Sequence, residues 1–273
     1  IAKGDLDGLM ARHSHVRRWV EDFEAQHGSR PYFYGPLDRG AKKIEPMNLI
    51  YSLKPPLFAH IYKPPEDDEQ GAGTTLWFGI EPVLNEEEEI IRQEIVDRLL
   101  RDAPSAPSFT SDSEFEGILE GMIARMTTTS SSAIQPDSVL GPAMGFLGIG
   151  ESSISVTEEQ LERLKYIIVR DLVKSGPLEA LLSDEMLEDI HSVGLRYINM
   201  DHKVFGMVTS NIRFRDREVL ARYLRSMSER IGRPVSDSKP IIDGALLDGS
   251  RINIIFSDDV SMLGPSFTIR KFA

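Results

Sequence analysis

Between residues 103 and 156 the sequence stops offering apolar side chains at regular spacing. Ala103-Pro104-Ser105-Ala106-Pro107-Ser108 opens a stretch rich in Ser, Thr, Pro and Gly. Such a composition cannot bury enough apolar surface to offset the entropy of ordering it. Residues 104–156 are therefore read as a flexible linker. It divides the chain into an N-terminal α+β module at 1–103 and a second module at 157–273. One amphipathic island, 115–126, interrupts the linker with Phe115, Ile118, Leu119, Met122 and Ile123. It reads either as a marginal helix resting on a neighbour or as a docking helix for a partner. The length, 273 residues, suits roughly two domains.

In the first module, Val16, Trp19, Val20 and Phe23 recur at i, i+3, i+4 and i+7 and predict a helix over 15–26, ended by Gly28. Three strand-like runs follow, at 48–53, 58–62 and 75–80, the last two separated by an acidic turn at 64–73. Asn85 then caps a helix whose four leading glutamates complement its dipole, with Arg98 and Arg101 near its end.

The second module has denser signals. Thr157-Glu158-Glu159-Gln160 fits a capping box, and Leu161, Leu164, Ile168 and Leu172 form one stripe of the helix it opens. Gly176-Pro177 ends that helix and a short one follows, through Leu178, Leu181 and Leu182. Strand-like runs come at 188–193, 197–200 and 204–209. Asp216 caps a helix closed by Gly232. A hairpin joins 241–246 to 252–256 through Asp248-Gly249, a pair suited to a turn in which both residues have φ > 0. A final strand covers 266–272. The order ααβββαβββ implies a sheet backed by helices, and the whole chain is of α/β (α+β) class.

Several functions are excluded or disfavoured. The formal charge of −12 argues against nucleic acid as a partner, since phosphate backbones bind cationic surfaces. There is no cysteine, hence no disulfide, thiol nucleophile or Cys-ligated metal. No apolar run approaches 18 residues, so no membrane helix is expected. No signal core opens the chain, which lacks an initiator Met and stops inside a strand pattern. It is read as a fragment cut at both ends. Gly145 to Ser152 has the spacing of a phosphate loop, but Glu151 stands where a lysine must meet the β- and γ-phosphates. The six histidines show no metal-ligand spacing, so no metal site is expected. Asp201-His202 reads as a polar turn, and 86–89 as a solvated helix start. No G-x-S-x-G elbow is present.

Two sets of arginines remain. Arg213, Arg215, Arg217, Arg222, Arg225, Arg230 and Arg233 form a local cationic surface in an acidic chain. It is either a solvated helix face or an interface for an acidic partner or phosphate. On the strand after Asp248-Gly249-Ser250, alternation puts Arg251, Asn253 and Ile255 on one face and Ile252, Ile254 and Phe256 on the other. Arg270 sits similarly on the last strand. From spacing alone, neither arginine stands out.

Three runs carry a family resemblance: Gly176-Pro177-Leu178-Glu179 with Leu187-Glu188-Asp189-Ile190, then Ile241-Ile242-Asp243-Gly244-Ala245-Leu246-Leu247-Asp248-Gly249-Ser250-Arg251-Ile252-Asn253, then Gly264-Pro265-Ser266-Phe267-Thr268-Ile269-Arg270-Lys271-Phe272. Together they resemble the type II/type IV secretion ATPase superfamily, most closely its archaeal pilus and archaellum branch. The resemblance covers about 160–273, and more loosely 44–103 through Glu81-Pro82-Val83-Leu84-Asn85-Glu86-Glu87. It implies an N1–N2 region whose second module is a PAS-like N2 domain, placed before a RecA-like ATPase domain that is not in this chain. By the same resemblance the parent is a hexameric ATPase using ATP and Mg2+. It would work with an inner-membrane platform protein, peripherally at the cytoplasmic face of the membrane. Arg251 and Arg270 would then bind nucleotide held mainly by the ATPase domain, with Asp248 and Asn253 structural. The segment itself, without a Walker A motif, would be inactive alone. The competing reading is a stand-alone PAS-like interaction module that docks through the arginines of 213–233.

Overall fold

A computed structural model describes residues 4–35, 37–65, 73–129, 153–246, 248–256 and 263–272. In chain order the elements are α1 (Leu6–Arg12), α2 (Ser14–His27), β1 (Tyr32–Tyr34), β2 (Asn48–Ser52), β3 (Phe58–Tyr62), β4 (Leu76–Ile80), α3 (Glu86–Asp102), α4 (Asp112–Met126), β5 (Thr127–Thr129) and β6 (Ile154–Val156). After these come α5 (Glu158–Leu172), α6 (Glu179–Ser183), β7 (Leu187–Val193), β8 (Asn199–His202), β9 (Gly206–Ser210), α7 (Arg217–Arg230), β10 (Ile241–Ala245), β11 (Arg251–Ile255) and β12 (Ser266–Arg270). The mixed α/β class and the order of elements beyond residue 157 match the sequence reading. The sequence does not predict α1, β1, β5 and β6: the three strands have only three residues each, too few for alternation to show, and α1 is two turns long.

The chain forms two units, Ile1–Glu81 with Ala180–Ala273, and Pro82–Glu179. The first is built on a ten-stranded sheet in the order β1-β2-β3-β4-β9-β8-β7-β12-β11-β10. β2, β3 and β4 pair antiparallel with β1 added in parallel to β2, and β7–β12 form a second antiparallel set; the two join where β4 pairs in parallel with β9, Leu76 opposite Thr209 and Trp77 opposite Ser210. Two edge strands with unpaired backbone groups are thereby closed into one sheet. The compositional boundaries at 1–103, 104–156 and 157–273 place those strands in separate modules. Alternation declares a strand but not its partner.

The register assigns the two faces. Phe58, Ile50 and Ile80 face α1 and α2, where they pack with Leu9, Val16 and Val20. Alternating residues on the same strands, Tyr51 and Trp77, look to the opposite side, where Ala180 on α6 lies against Gly79. On that opposite side β7–β12 bury Ile190, Met200, Val208, Ile252, Ile254, Phe267 and Ile269. The other side of β7–β12 is mainly polar, with Val193, Met207 and Ile241 exposed on it.

In the second unit, α3, α4 and α5 share a core of Ile95, Leu99, Leu119, Met122, Ile123, Leu164 and Ile168, and β5 pairs in parallel with β6. The island at 115–126 is thus a helix with a buried face, although its flanks have the composition of a linker. Residues 130–152, including the Gly145 to Ser152 segment, lie outside the described residues. The capping box at Thr157 and Gln160 is present, and a second joins Asn85 to Glu88. Glu88 departs from the solvated helix start expected for 86–89. Its side chain is only 1% exposed, bonding the Asn85 N–H at 3.0 Å and the Arg163 guanidinium. Glu86, Glu87 and Glu89 are exposed as expected.

Candidate functional site

The polar side of β7–β12 brings the two candidate arginines together. Arg251 on β11 stands directly opposite Arg270 on β12, and Arg270 directly opposite Asp189 on β7. Asp189 in turn faces Asp201 on β8. The next row across the same strands reads Asp243, Asn253, Thr268, His191 and Asn199. Alternation in β11, with Ile252 and Ile254 buried, is what turns Arg251 outward, as the sequence predicts.

The two arginines differ in what holds them. Arg270 forms a fork with Asp189, Nε donating to Oδ1 at 3.0 Å and Nη2 to Oδ2 at 3.2 Å. This bidentate pair holds the Asp189 carboxyl below its ordinary range and raises the Arg270 guanidinium. Among the described residues Arg251 has no hydrogen-bond or ion-pair partner. Like charges opposed across a ladder repel. Here Asp189 compensates one of them and the charge of Arg251 is left over. The pair lies in an open concavity of about 670 Å³ that also takes in Arg233, Asp243, Asn253 and Thr268.

The surrounding bonds fix the frame. Asn253 Nδ2 donates to Asp243 Oδ1 at 3.0 Å, tying β11 to β10. Asp248 accepts from both the N–H and the hydroxyl of Ser250, and the Ser250 hydroxyl accepts from the Phe272 N–H at 3.1 Å. The β10–β11 connection is therefore clamped to the end of β12. It is not the turn expected at Asp248-Gly249: Gly249 has φ +85°, but no described non-glycine residue has positive φ. The Asp248 side chain, caught by Ser250, shapes the bend instead. Lys271, next to Arg270, points to the opposite side and donates to the carbonyls of Leu181, Leu182 and Asp184 at the end of α6. Burial pushes it down to about 8.

Sequence reasoning missed the acids here. Asp189, His191 and Asp201 lie with one potential ligand atom each within 4.8 Å of one another. His191 Nε2 is 3.8 Å from Asp201, and its Nδ1 is 3.5 Å from the Thr268 hydroxyl. Residues of this kind could hold a cation, but both Asp189 oxygens face the Arg270 guanidinium, which already supplies positive charge. In Leu187-Glu188-Asp189 nothing local tells which acid meets the arginine, because a strand pairing 81 residues away decides it.

His202 does not lie in the polar turn expected for Asp201-His202 but ends β8, 2% exposed. Its Nδ1 accepts the backbone N–H of Val204 at 3.0 Å, so Nε2 carries the proton that faces the Tyr51 hydroxyl at 3.3 Å. Of the arginines in 213–233, Arg213 lies over the Tyr197 ring at 4.7 Å and Arg225 over Phe256 at 4.9 Å.

No family model matches the chain. It is 38% identical over all 273 residues to an uncharacterized protein of Methanocaldococcus jannaschii, of which it covers 48%. Two further uncharacterized proteins of that organism match over 100 residues at 34% and over 116 residues at 32%, with 40% and 15% of their lengths covered. The chain thus spans about half or less of the curated relatives it matches. Among solved structures, the VirB11 ATPase of the Brucella suis type IV secretion system, crystallised with sulphate, aligns at a TM-score of 0.31 and 21% identity. The alignment covers 36% of this chain and 29% of that one, and at that score it bears on neither fold nor function. No helix among the described residues is long and apolar enough to cross a membrane.

Proposed function

We propose that this chain is the regulatory and coupling segment of a secretion or pilus-assembly ATPase, in which Arg251 and Arg270 bind the phosphates of ATP. The magnesium nucleotide would be held mainly by an ATPase domain in the rest of the protein. The observation that carries this reading is the Arg251–Arg270 pair on an open sheet face, with only one of its two charges compensated. Guanidinium forks match phosphate oxygens bidentately and offset charge on a transferred phosphoryl group. A phosphate bridging the two arginines would join this segment to the nucleotide-holding domain, and its release would let them part. A relative about twice as long as this chain leaves room for such a domain. Assembly as a hexamer and docking on a membrane platform protein at the cytoplasmic face belong to the same reading. They rest on the sequence resemblance.

The test is ATP hydrolysis by the longer protein containing this segment, with Arg251→Ala and Arg270→Ala. A fall of roughly a hundredfold or more is expected, the scale of losing a charge-stabilising group at a transferring phosphate. Unchanged hydrolysis and unchanged ATP affinity in Arg251→Ala would remove the role.

A further inference from the structure

On the open sheet face Asp189 already does what a phosphate would do. Its two oxygens take the Nε and Nη2 positions of Arg270 at 3.0 and 3.2 Å, the same fork a phosphate would use. The two sides of the pair are unequal. The Asp189 side chain is 20% exposed and anchored in the central strand β7, whereas the Arg270 side chain is 75% exposed. Arg270 can swing outward without disturbing the core, since Ile269 and Phe267 on the same strand point to the buried side. Arg251, opposite Arg270, is left with no partner among the described residues.

We propose that Asp189 is a resident phosphate mimic, a latch that occupies Arg270 until a polyphosphate displaces it. This rests on the functional reading above and adds how that site is regulated. A monoanion gains nothing by displacement, because it exchanges one carboxylate for one equivalent charge. A polyphosphate engages Arg270 and Arg251 together and outcompetes the single contact Asp189 makes. Once displaced, the Asp189 carboxylate remains beside Asp201, directly across β7–β8, and close to His191. That local negative charge opposes any anion that displaces it. The latch therefore excludes a ligand that meets Arg270 alone, and one long enough to engage Arg251 as well, such as a di- or triphosphate, holds the site.

The experiment titrates inorganic tripolyphosphate and inorganic phosphate into the 273-residue chain, as wild type and as Asp189→Asn, Arg251→Ala and Arg270→Ala, at fixed ionic strength. Asp189→Asn is expected to tighten tripolyphosphate binding about fivefold, the scale of one competing exposed ion pair, and phosphate binding by no more than that. Arg251→Ala and Arg270→Ala should each weaken tripolyphosphate at least tenfold. The Nε–H resonance of Arg270 reports the latch itself: Asp189→Asn should move it toward that of an unpaired guanidinium, and saturating tripolyphosphate should return it in that variant to that of a charge-paired one. A second variant, Asp189→Ser, guards against a folding defect confined to Asn. Binding that depends on both arginines yet is no tighter in either Asp189 variant overturns the latch while leaving the functional reading intact. Absence of tripolyphosphate binding even to Asp189→Asn overturns it as well. The functional reading fails separately, if hydrolysis by the longer protein ignores Arg251→Ala.

Discussion

The indole N–H of Trp77 donates a 2.9 Å hydrogen bond to the carboxylate of Asp184, 107 residues further along the chain. The Tyr51 hydroxyl donates to the same oxygen, the Met186 N–H donates to the other at 2.9 Å, and His202 closes the group from β8. Asp184 is 1% exposed. Burial and the adjacent carboxylate raise the Tyr51 hydroxyl well above its ordinary range, so it stays a donor. One acid thus satisfies side chains of β2 and β4 beneath the sheet. Asp184→Ala leaves these donors unpaired in an apolar setting and should cost about 3–5 kcal/mol. Both tryptophans of the chain, Trp19 and Trp77, lie in this unit, so urea unfolding followed by tryptophan fluorescence reads it. A loss below about 1 kcal/mol would mean water replaces the carboxylate.

Acid should destabilise the same unit through two buried histidines. Burial pushes His202 down to about 4, with Lys203 adding to the effect and Asp184 opposing it. Burial and the nearby His27 push His60 down to about 3; His60 accepts from Trp19 Nε1 at 3.1 Å and meets Asn48 Oδ1 at 2.7 Å. Both folded values lie below the ordinary 6.5. The unfolded chain therefore takes up protons first as pH falls, and stability present above pH 6.5 is lost progressively toward pH 4 and 3. Between pH 7.5 and 5 each should account for about 2 kcal/mol. His202→Gln and His60→Gln should each flatten the slope of unfolding free energy against pH. An unaltered slope in both would disprove the assignment.

Glu88 holds two structures in the second unit at once, the α3 capping box and the ion pair to Arg163 on α5. Glu88→Ala should cost about 3–5 kcal/mol, the range for breaking a buried pair from one side. This unit has no tryptophan, so the readout is helical circular dichroism. A loss of only a few tenths, typical of an exposed pair, would show the carboxylate is not needed.

Ile123 is fully buried within the stretch whose composition reads as a linker. Ile123→Ala should cost about 2–5 kcal/mol, as for a core position that cannot fully collapse. A free linker helix would show almost none of that, and thermal unfolding distinguishes the two.

Local signals read well where the cause is local. Thr157 with Gln160, Asn85, Asp216 and Gly28 mark helix ends because the groups they satisfy lie within a turn. The outward placement of Arg251 follows from a two-residue period. Glu88 and Glu89, adjacent in one run of acids, cannot be told apart that way. One lies under Arg163 and the other is exposed. Asp201 and His202 look like a turn because two polar residues in succession usually are one, and only the Asp184 network makes a buried histidine affordable there.

What the sequence alone determined is therefore the α/β class, the element order beyond residue 157, the helix caps and the face of β11 that carries Arg251. Each depends on residues a few positions apart. The tertiary structure decided that β4 meets β9, that α4 joins α3 and α5, and that Asp189 meets Arg270 while Arg251 has no such partner. These are pairings between groups tens of residues apart, whose free energy depends on which surfaces meet and not on any local period.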